Sequence, residues 1–361
     1  MKVLVLWADH ASSNLGIQAL AHGTAAVVRR VWPDADVDVE VHTPGPWPRF
    51  VPAASFARAW AGGDRRERRR LGAYDLVVDT GSGDSFADIY GLRRLLQMGS
   101  TRASAARAGC TVVMGPQTIG PFQTRSGRLV ARLSLRGVAR VIARDTESAE
   151  YCRTTLRRDP ALATDVVFAM ERPRVATTRG VIVNVSGLLW SANPHVDHLK
   201  YRRAVTDLLG RLREEDVPFS LLAHVVAEGT GDADNYAVAE VAAALGGDVE
   251  QLVPRDVREA RELIASGRLV IGARMHACLN SLSVGVPSLP WAYSRKFEPL
   301  ARDLAWPHVI DLRTEPDVAD RSWRIARELL AGGAEAELAG VHRRAEARLD
   351  AAADALRRVH G

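Results

Sequence analysis

Lysine is almost missing from this chain. Of its 48 lysine and arginine residues only Lys2, Lys200 and Lys296 are lysine. A protein that uses guanidinium wherever any positive charge will serve keeps an ammonium for a task arginine cannot do, such as gripping one oxygen with a compact charge of adjustable pKa. Cysteine is as scarce. Cys110, Cys152 and Cys278 are too few and too far apart for a disulfide framework or a metal-ligand pattern, and they read as small buried hydrophobes. No uninterrupted apolar run reaches the ~18 residues of a membrane span. The opening MKVLVLWADH is a short strand followed by charge rather than a signal segment, so the expected location is cytoplasmic. A GxGxxG dinucleotide fingerprint is absent, the acidic residues do not match a calcium loop, and no solenoid-type repeat is visible. No metal is expected.

What is present fits a soluble α/β protein. A length of 361 residues predicts two domains, and 47% hydrophobic with 25% charged residues is ordinary globular composition. The net charge is +5, with much of the surplus in Arg65 to Arg70 and Arg153 to Arg158. No aromatics interleave these blocks and no nucleic-acid motif accompanies them, so they read as solvated helix faces and no nucleic acid is expected as a partner. Peripheral contact with a membrane bearing anionic lipid stays open.

Strand and helix patterns alternate throughout, which predicts parallel sheets. In the first half, strands are expected at Lys2–Trp7, Val37–Val41, Tyr74–Asp79, Cys110–Met114, Arg140–Ala143 and Thr164–Phe168, with helices near 15–31, 91–108 and 124–137. Residues 44–73, with four prolines and a basic run, read as an irregular insertion holding one charged helix. The polar stretch 171–179 is the candidate linker. The second half restarts at Val181–Val185 and continues with strands Phe219–Val226, 268–274, Val286–Tyr293 and His308–Leu312. The division is residues 1–172 and 180–315, two Rossmann-like domains, and 316–361, a helical tail by propensity. Two such domains facing a cleft are the layout of two-domain (GT-B-like) nucleotide-sugar transferases, which by itself fixes no chemistry.

The segment 268–300, RLVIGARMHACLNSLSVGVPSLPWAYSRKFEPL, carries the most chemistry. A buried strand ends in Arg274, a helix over Met275 to Val284 stops at Gly285, and a second strand leads through Tyr293 and Ser294 to Lys296. Arg274, His276 and Lys296 thus fall at the carboxyl ends of two strands, where open α/β sheets bind ligands. Together they describe a pocket for a small, highly charged anion.

Four other loops follow strands. HASSNLGIQAL, residues 10–20, offers Asn14 or its neighbouring serines as a helix cap and Gly16 for close approach to the backbone. DTGSGDSFADIYG, residues 79–91, places Asp79, Asp84 and Asp88 in a glycine-rich loop able to bind sugar hydroxyls or take their protons, or simply to cap turns. GPQTIGPF, residues 115–122, is stiffened by two Gly-Pro pairs and forms a candidate ligand wall that includes Gln117. ARDTES, residues 143–148, puts Arg144 at a strand end as a candidate clamp for carboxylate or phosphate and Asp145 at a helix cap. His224 ends a strand in the second half, and Asp232 and Asp234 beside it read as helix caps.

Taken together, SNLG, DSFADIYG, GPQTIGPF, ARDTES, His224, GARMHA, GVP and AYSRKF resemble the polysaccharide pyruvyl transferase family in content and order, over about residues 4–305. Where members often carry an acidic residue after the glycine of the first loop, this chain has Ile17. Where they double the glycine of the second, it has Gly81-Ser82-Gly83. The resemblance implies a fold like the two-domain glycosyltransferases and no metal or other cofactor. It also implies transfer of the enolpyruvyl-derived group of phosphoenolpyruvate, as co-substrate, onto two hydroxyls of a sugar or glycan, giving a pyruvate ketal and phosphate. Arg274 and Lys296 would hold the donor anions, with Arg144 from the first half, and Asn14, Gly16, Gln117, His224, Tyr293 and Ser294 would complete the binding residues. His276 would act as general acid on the methylene carbon or the phosphate, and one of Asp84 or Asp88 would take hydroxyl protons. Two other readings compete: a glycosyltransferase using a nucleotide sugar, and a non-catalytic glycan- or anion-binding protein.

Overall fold

The computed structural model describes residues 1–40, 65–229 and 231–359. Most of the insertion expected over 44–73 lies outside these residues. The chain forms two compact units. One comprises Met1–Ser12, Ile17–Met170 and Ala345–Gly361, the other Ser13–Gly16 and Glu171–Arg344.

The first unit is built on a parallel sheet of β1 (Lys2–Leu6), β2 (Asp36–Val39), β3 (Leu76–Asp79), β4 (Thr111–Gln117), β5 (Arg140–Ala143) and β6 (Ala161–Leu162), in the order β2-β1-β3-β4-β5-β6. Strands buried on both faces must be apolar at consecutive positions. In β1, Leu4 and Leu6 join the core formed with Leu95, Met98, Val112 and Met114, while Val3 and Val5 face the opposite core with Val28, Val78 and Ile142. Helices α1 (Leu15–Val31), α2 (Arg65–Leu71), α3 (Leu92–Arg107), α4 (Arg125–Ser134) and α5 (Thr146–Tyr151) connect the strands. Leu349, Ala352 and Leu356 of the terminal helix pack on the Val3–Val5 side.

The second unit repeats the architecture with β7 (Val181–Asn184), β8 (Phe219–Leu222), β9 (Gln251–Leu252), β10 (Leu269–Gly272), β11 (Ser288–Ala292) and β12 (Ile310–Asp311), all parallel, in the order β12-β11-β10-β7-β8-β9. Its helices are α6 (Gly187–Trp190), α7 (His198–Glu214), α8 (Asp234–Ala244), α9 (Val257–Ala265), α10 (Met275–Val284), α11 (Phe297–Leu304) and α12 (Val318–Leu330). The long α13 (Glu335–Arg357) then spans the boundary at residue 345. The chain winds outward from β7 through β8 and β9, then returns to the other side of β7 as β10. The switch point therefore lies between β7 and β10, and ligands of doubly wound sheets bind outside the carboxyl ends of strands at such a point.

Three expected elements are corrected. The strand at Thr164–Phe168 is instead a 3₁₀ turn at Val166–Ala169, because the Asp165 carboxylate accepts the Val167 amide at 3.1 Å and turns the chain. The strand expected through Val226 ends at Leu222, because the Val225 amide goes to the Asp234 carboxylate and the Val226 amide to the Ser13 carbonyl. The SNLG loop, expected with the first half, groups with the second unit through its segment Ser13–Gly16.

Candidate active site at the carboxyl edge of the second sheet

One carboxylate organises the switch point. Asp234, fully buried at the start of α8, accepts from the amides of Gly187, His224 and Val225 at 2.8, 2.9 and 3.1 Å. It also takes the Asn184 side-chain amide at 3.3 Å and Nε and Nη2 of Arg274 at 3.0 and 2.8 Å. It therefore ties together the ends of β7, β8 and β10. The Asn184 side chain helps by accepting from the Arg274 amide at 2.9 Å and donating to the Leu222 carbonyl at 3.0 Å. It reaches across because its neighbour in register is Gly272, where a Cβ would stand 2.5 Å from that of Asn184.

Arg274 is held by the same carboxylate. Its Nε and Nη2, the edge of the guanidinium that would clamp an anion bidentately, go to Asp234 and the Asp232 carbonyl. Burial opposes its charge, but the Asp234 carboxylate outweighs burial and holds the pKa above the usual value. Arg274 thereby fixes the strand ends, with its charge balanced by a buried partner.

His276 follows in the first turn of α10, where backbone N–H groups lack intrahelical acceptors and the helix dipole favours negative charge. Its imidazole lies against the SNLG loop. A Cβ on Gly16 would sit 2.7 Å from its Nδ1 and 3.1 Å from Asn14 Oδ1. Gly16 therefore admits the histidine ring. The Asn14 side chain accepts the Gly16 amide at 2.9 Å, and the loop is seated by Leu15 N donating to the His224 carbonyl at 3.1 Å.

Behind His276 stands Asn280, one helical turn on. Arg261 can only donate, so its contact at 2.8 Å fixes the Asn280 oxygen, leaving the amide nitrogen to donate to the His276 carbonyl at 2.7 Å and to His224 Nε2 at 3.3 Å. The fully buried His224 accepts there through Nε2, which is consistent with a neutral ring. Burial, then His276 and Arg274, push its pKa down to about 3. Arg261 is buried as well, which lowers it to about 10, and it continues the chain of contacts to the Glu171 carbonyl. Asn184 at the end of β7, Asn280 in α10 and Arg261 in α9 carried no local motif in the sequence. Only the buried pair Asp234–Arg274 had a sequence trace, in an aspartate read as a cap.

At the next strand end, the half-buried Tyr293 stacks obliquely on His195 at 5.3 Å and edge-on to Phe297 at 5.7 Å. His195, unremarked in the sequence, has a depressed pKa from partial burial and then from the Lys296 ammonium. Lys296 is half-buried at the residue before α11, and Ser294 is half-buried in the preceding loop. Asn14, Gly16, His224, Arg274 and His276 are thus linked through Leu15, Asn280 and Asp234, and Tyr293 and Lys296 flank His195 one strand away.

In the first unit the expected site residues are mostly engaged internally. Arg144 is buried and pairs with Asp165 at 3.0 Å while donating to Thr118 Oγ1 at 3.0 Å, so it does not present its charge at the strand edge. Gln117 is equally buried, and it donates to the Asp79 carbonyl at 2.8 Å, bracing the turn at Gly81. Asp79 pairs with the buried Arg102. Asp88 accepts the amides of Gln123 and Thr124, both at 2.8 Å, and the Thr124 hydroxyl. Burial alone would raise its pKa, but these donors outweigh it and lower the value, which makes it a loop clamp and a poor base. Asp84 is half-buried and accepts from the Tyr90 hydroxyl.

No group of three or more histidine, cysteine, aspartate or glutamate side chains among the described residues is arranged to hold a metal. No helix among them is long and apolar enough to cross a membrane. A groove of about 560 Å³ runs between α7 and residues 312–319, lined by Lys200, Arg203, Asp207, Arg313 and Glu315 among others. None of the expected site residues borders it.

The fold is that of GT-B enzymes. UDP-GlcNAc 2-epimerase from Neisseria meningitidis bound to UDP-GlcNAc superposes with a TM-score of 0.59 at 9% identity, over 97% of this chain and 99% of that one. Anabaena Alr3699/HepE in complex with UDP-glucose gives 0.57 at 12% identity over 99% and 98%. A glycosyltransferase from Rickettsia africae gives 0.58 at 10% over 99% and 97%. No curated protein sequence matches the chain. The sequence model described as polysaccharide pyruvyl transferase matches residues 14–295, from the asparagine that accepts the Gly16 amide to the arginine beside Lys296. With most of its length and every element of the His276 cluster inside that match, the chain belongs to the polysaccharide pyruvyl transferase family.

Proposed function

We propose that this protein transfers the enolpyruvyl-derived group of phosphoenolpyruvate to two hydroxyls of a sugar or glycan, forming a pyruvate ketal and releasing phosphate. The observation that carries this reading is His276, set in the first turn of α10 at the switch point and fixed between Gly16 and Asn280.

The donor carries a phosphate and a carboxylate. In this reading the amino end of α10, His276 and Lys296 hold those anions, while Arg274 stands behind them as the positioning partner of Asp234. His276 protonates the methylene carbon of phosphoenolpyruvate, positive charge develops at C2, and a sugar hydroxyl bonds there. Phosphate leaves as the second hydroxyl closes the ring. Of the two hydroxyl protons, one replaces that given up by His276 and the other leaves with phosphate. Cationic groups and helix N–H groups stabilise the departing phosphate without a metal. His224, kept neutral beside His276, adds no competing positive charge. Asp84 is the carboxylate proposed to accept hydroxyl protons, in preference to Asp88.

The test is phosphate release from phosphoenolpyruvate with a panel of sugar and glycan acceptors. Release should depend on acceptor and fall by at least about a hundredfold in His276→Gln, the scale of a lost general acid. Full turnover in that variant sinks the assignment. The GT-B relatives above that bind UDP-sugars keep a second reading in view, sugar transfer from a nucleotide donor. Turnover of UDP-sugars with none of phosphoenolpyruvate would establish it instead.

A further inference from the structure

Charge is segregated along this chain to a degree its net value of +5 conceals. Residues 89–144 contain ten arginines and not one aspartate, glutamate or lysine. The rest of the sequence therefore carries a net charge of −5. Two of the ten, Arg102 and Arg144, are buried against Asp79 and Asp165. Arg93, Arg107, Arg125, Arg132 and Arg136 are exposed.

The same stretch carries most of the large apolar side chains exposed among the described residues. Ten large hydrophobic residues are exposed among the described residues, and six fall here: Ile89, Tyr90, Leu92, Leu96, Leu129 and Leu133. Leu92 and Leu96 lie one turn apart on α3, and Leu129 and Leu133 one turn apart on α4, so each pair forms a short ridge. The helices run side by side in the same direction. The Asp88 carboxylate before α3 holds Thr124 at the start of α4, and further along Gly99 approaches Ser134 so closely that a Cβ there would stand 2.8 Å from the serine Cβ. The buried residues Leu95, Met98, Gly127 and Ala131 turn the opposite sides of both helices to the core.

We infer that this face of α3 and α4 docks on a phospholipid surface bearing anionic headgroups. Leucines standing out of two adjacent helices, rimmed by arginine, match what an interfacial surface needs: apolar side chains reaching the acyl boundary and cations meeting the headgroups. A second copy of the chain is disfavoured, because self-association would press two helices that carry arginine and no acidic residue against the same two helices of the other copy. Nucleic acid is disfavoured because the apolar residues are aliphatic apart from Tyr90, and offer little for bases to stack on. The inference does not rest on the proposed reaction.

Vesicle co-sedimentation of the full chain tests it, with phosphatidylcholine alone and with phosphatidylglycerol added. Binding should appear only with the anionic lipid. It should weaken by about tenfold or more in Arg125→Glu/Arg136→Glu, each arginine near such a surface being worth about 1 kcal/mol. It should weaken comparably in Leu129→Gln/Leu133→Gln, which keeps helix propensity while removing the ridge. All four positions are exposed, so melting temperatures should not move, and this separates lost docking from lost folding. Absence of binding, equal binding to neutral vesicles, or binding undiminished by the glutamine pair overturns the inference. Retention of the glutamine pair by a generic polyanion such as duplex DNA, with vesicle binding equally retained, would show charge attraction alone and overturns it too.

Discussion

At the scale of single residues, the site is defined by which polar groups are already engaged and which face outward. Asp88 and Asp84 lie four positions apart in one loop, yet their contacts predict opposite phenotypes. Asp88→Ala removes the acceptor for two backbone amides and should cost about 1 kcal/mol of stability, the usual value of a lost cap, with turnover retained once the protein is folded. Asp84→Asn keeps an acceptor for the Tyr90 hydroxyl and should lower turnover more than stability. Denaturation midpoints and phosphate release on the same two preparations distinguish them, and the reverse pattern would move the base to Asp88. His276, Gly16 and Lys296 could be picked out from residue type and position relative to strand ends. Asn280, Asn184 and Arg261 could not, since a buried side-chain network depends on residues brought together from 19 to 90 positions away. Spacing within a local motif carries no trace of that. Arg144 is a complementary case. Its place after a strand could be read, but its pairing with Asp165, a residue in a segment expected to be a strand, could not.

At the scale of elements, the carboxyl edge of the second sheet is held by a single buried carboxylate. Asp234→Ala would leave the Arg274 guanidinium buried without its partner and three backbone amides without an acceptor. Breaking a buried pair in this way costs about 3–5 kcal/mol. A denaturation midpoint close to that of the unmodified protein would contradict this account of the strand ends. Gly16→Ala should act differently. Its Cβ would collide with the His276 ring at 2.7 Å, so the substitution should displace the imidazole and depress turnover far more than stability. The strand pattern itself was legible because strands buried on both faces must be continuously apolar, as in the LVIG of β10 and the VIVN of β7. The strand ends were less so. Whether β8 stops at Leu222 or runs to Val226 is decided by Asp234 and Ser13, which capture the next amides.

Across the whole molecule, buried neutral histidines make stability depend on acidity. His224 titrates near 6.5 when exposed and near 3 in the folded chain, where burial and then His276 and Arg274 disfavour its charge. As pH falls, the unfolded chain binds this proton first. The contribution is therefore intact above about pH 6.5 and is lost from there down to about pH 3, by up to tenfold in the folding equilibrium per pH unit. His342, lowered to about 4 by burial and then by Arg172, acts in the same direction. Urea midpoints measured across this range should fall less steeply in His224→Gln, and an identical slope would show that the ring is not held neutral. The GT-B-like architecture was readable from alternating strand and helix patterns, and the family from motifs spread across most of the chain. The charge segregation of residues 89–144 is equally a property of the sequence. Its meaning waited on the packing of α3 against α4, two helices from separate segments that each expose a pair of leucines.

The most direct test of the central claim is thermal melting with phosphoenolpyruvate, comparing the unmodified protein with Lys296→Ala and with UDP-sugars as the alternative ligand. Ligand at about 100 times its dissociation constant should stabilise the fold by about 2.7 kcal/mol. The account predicts a clear rise in melting temperature with phosphoenolpyruvate that Lys296→Ala abolishes, and none with UDP-sugars. A rise with UDP-sugars alone, or one with phosphoenolpyruvate that is indifferent to Lys296, would contradict it.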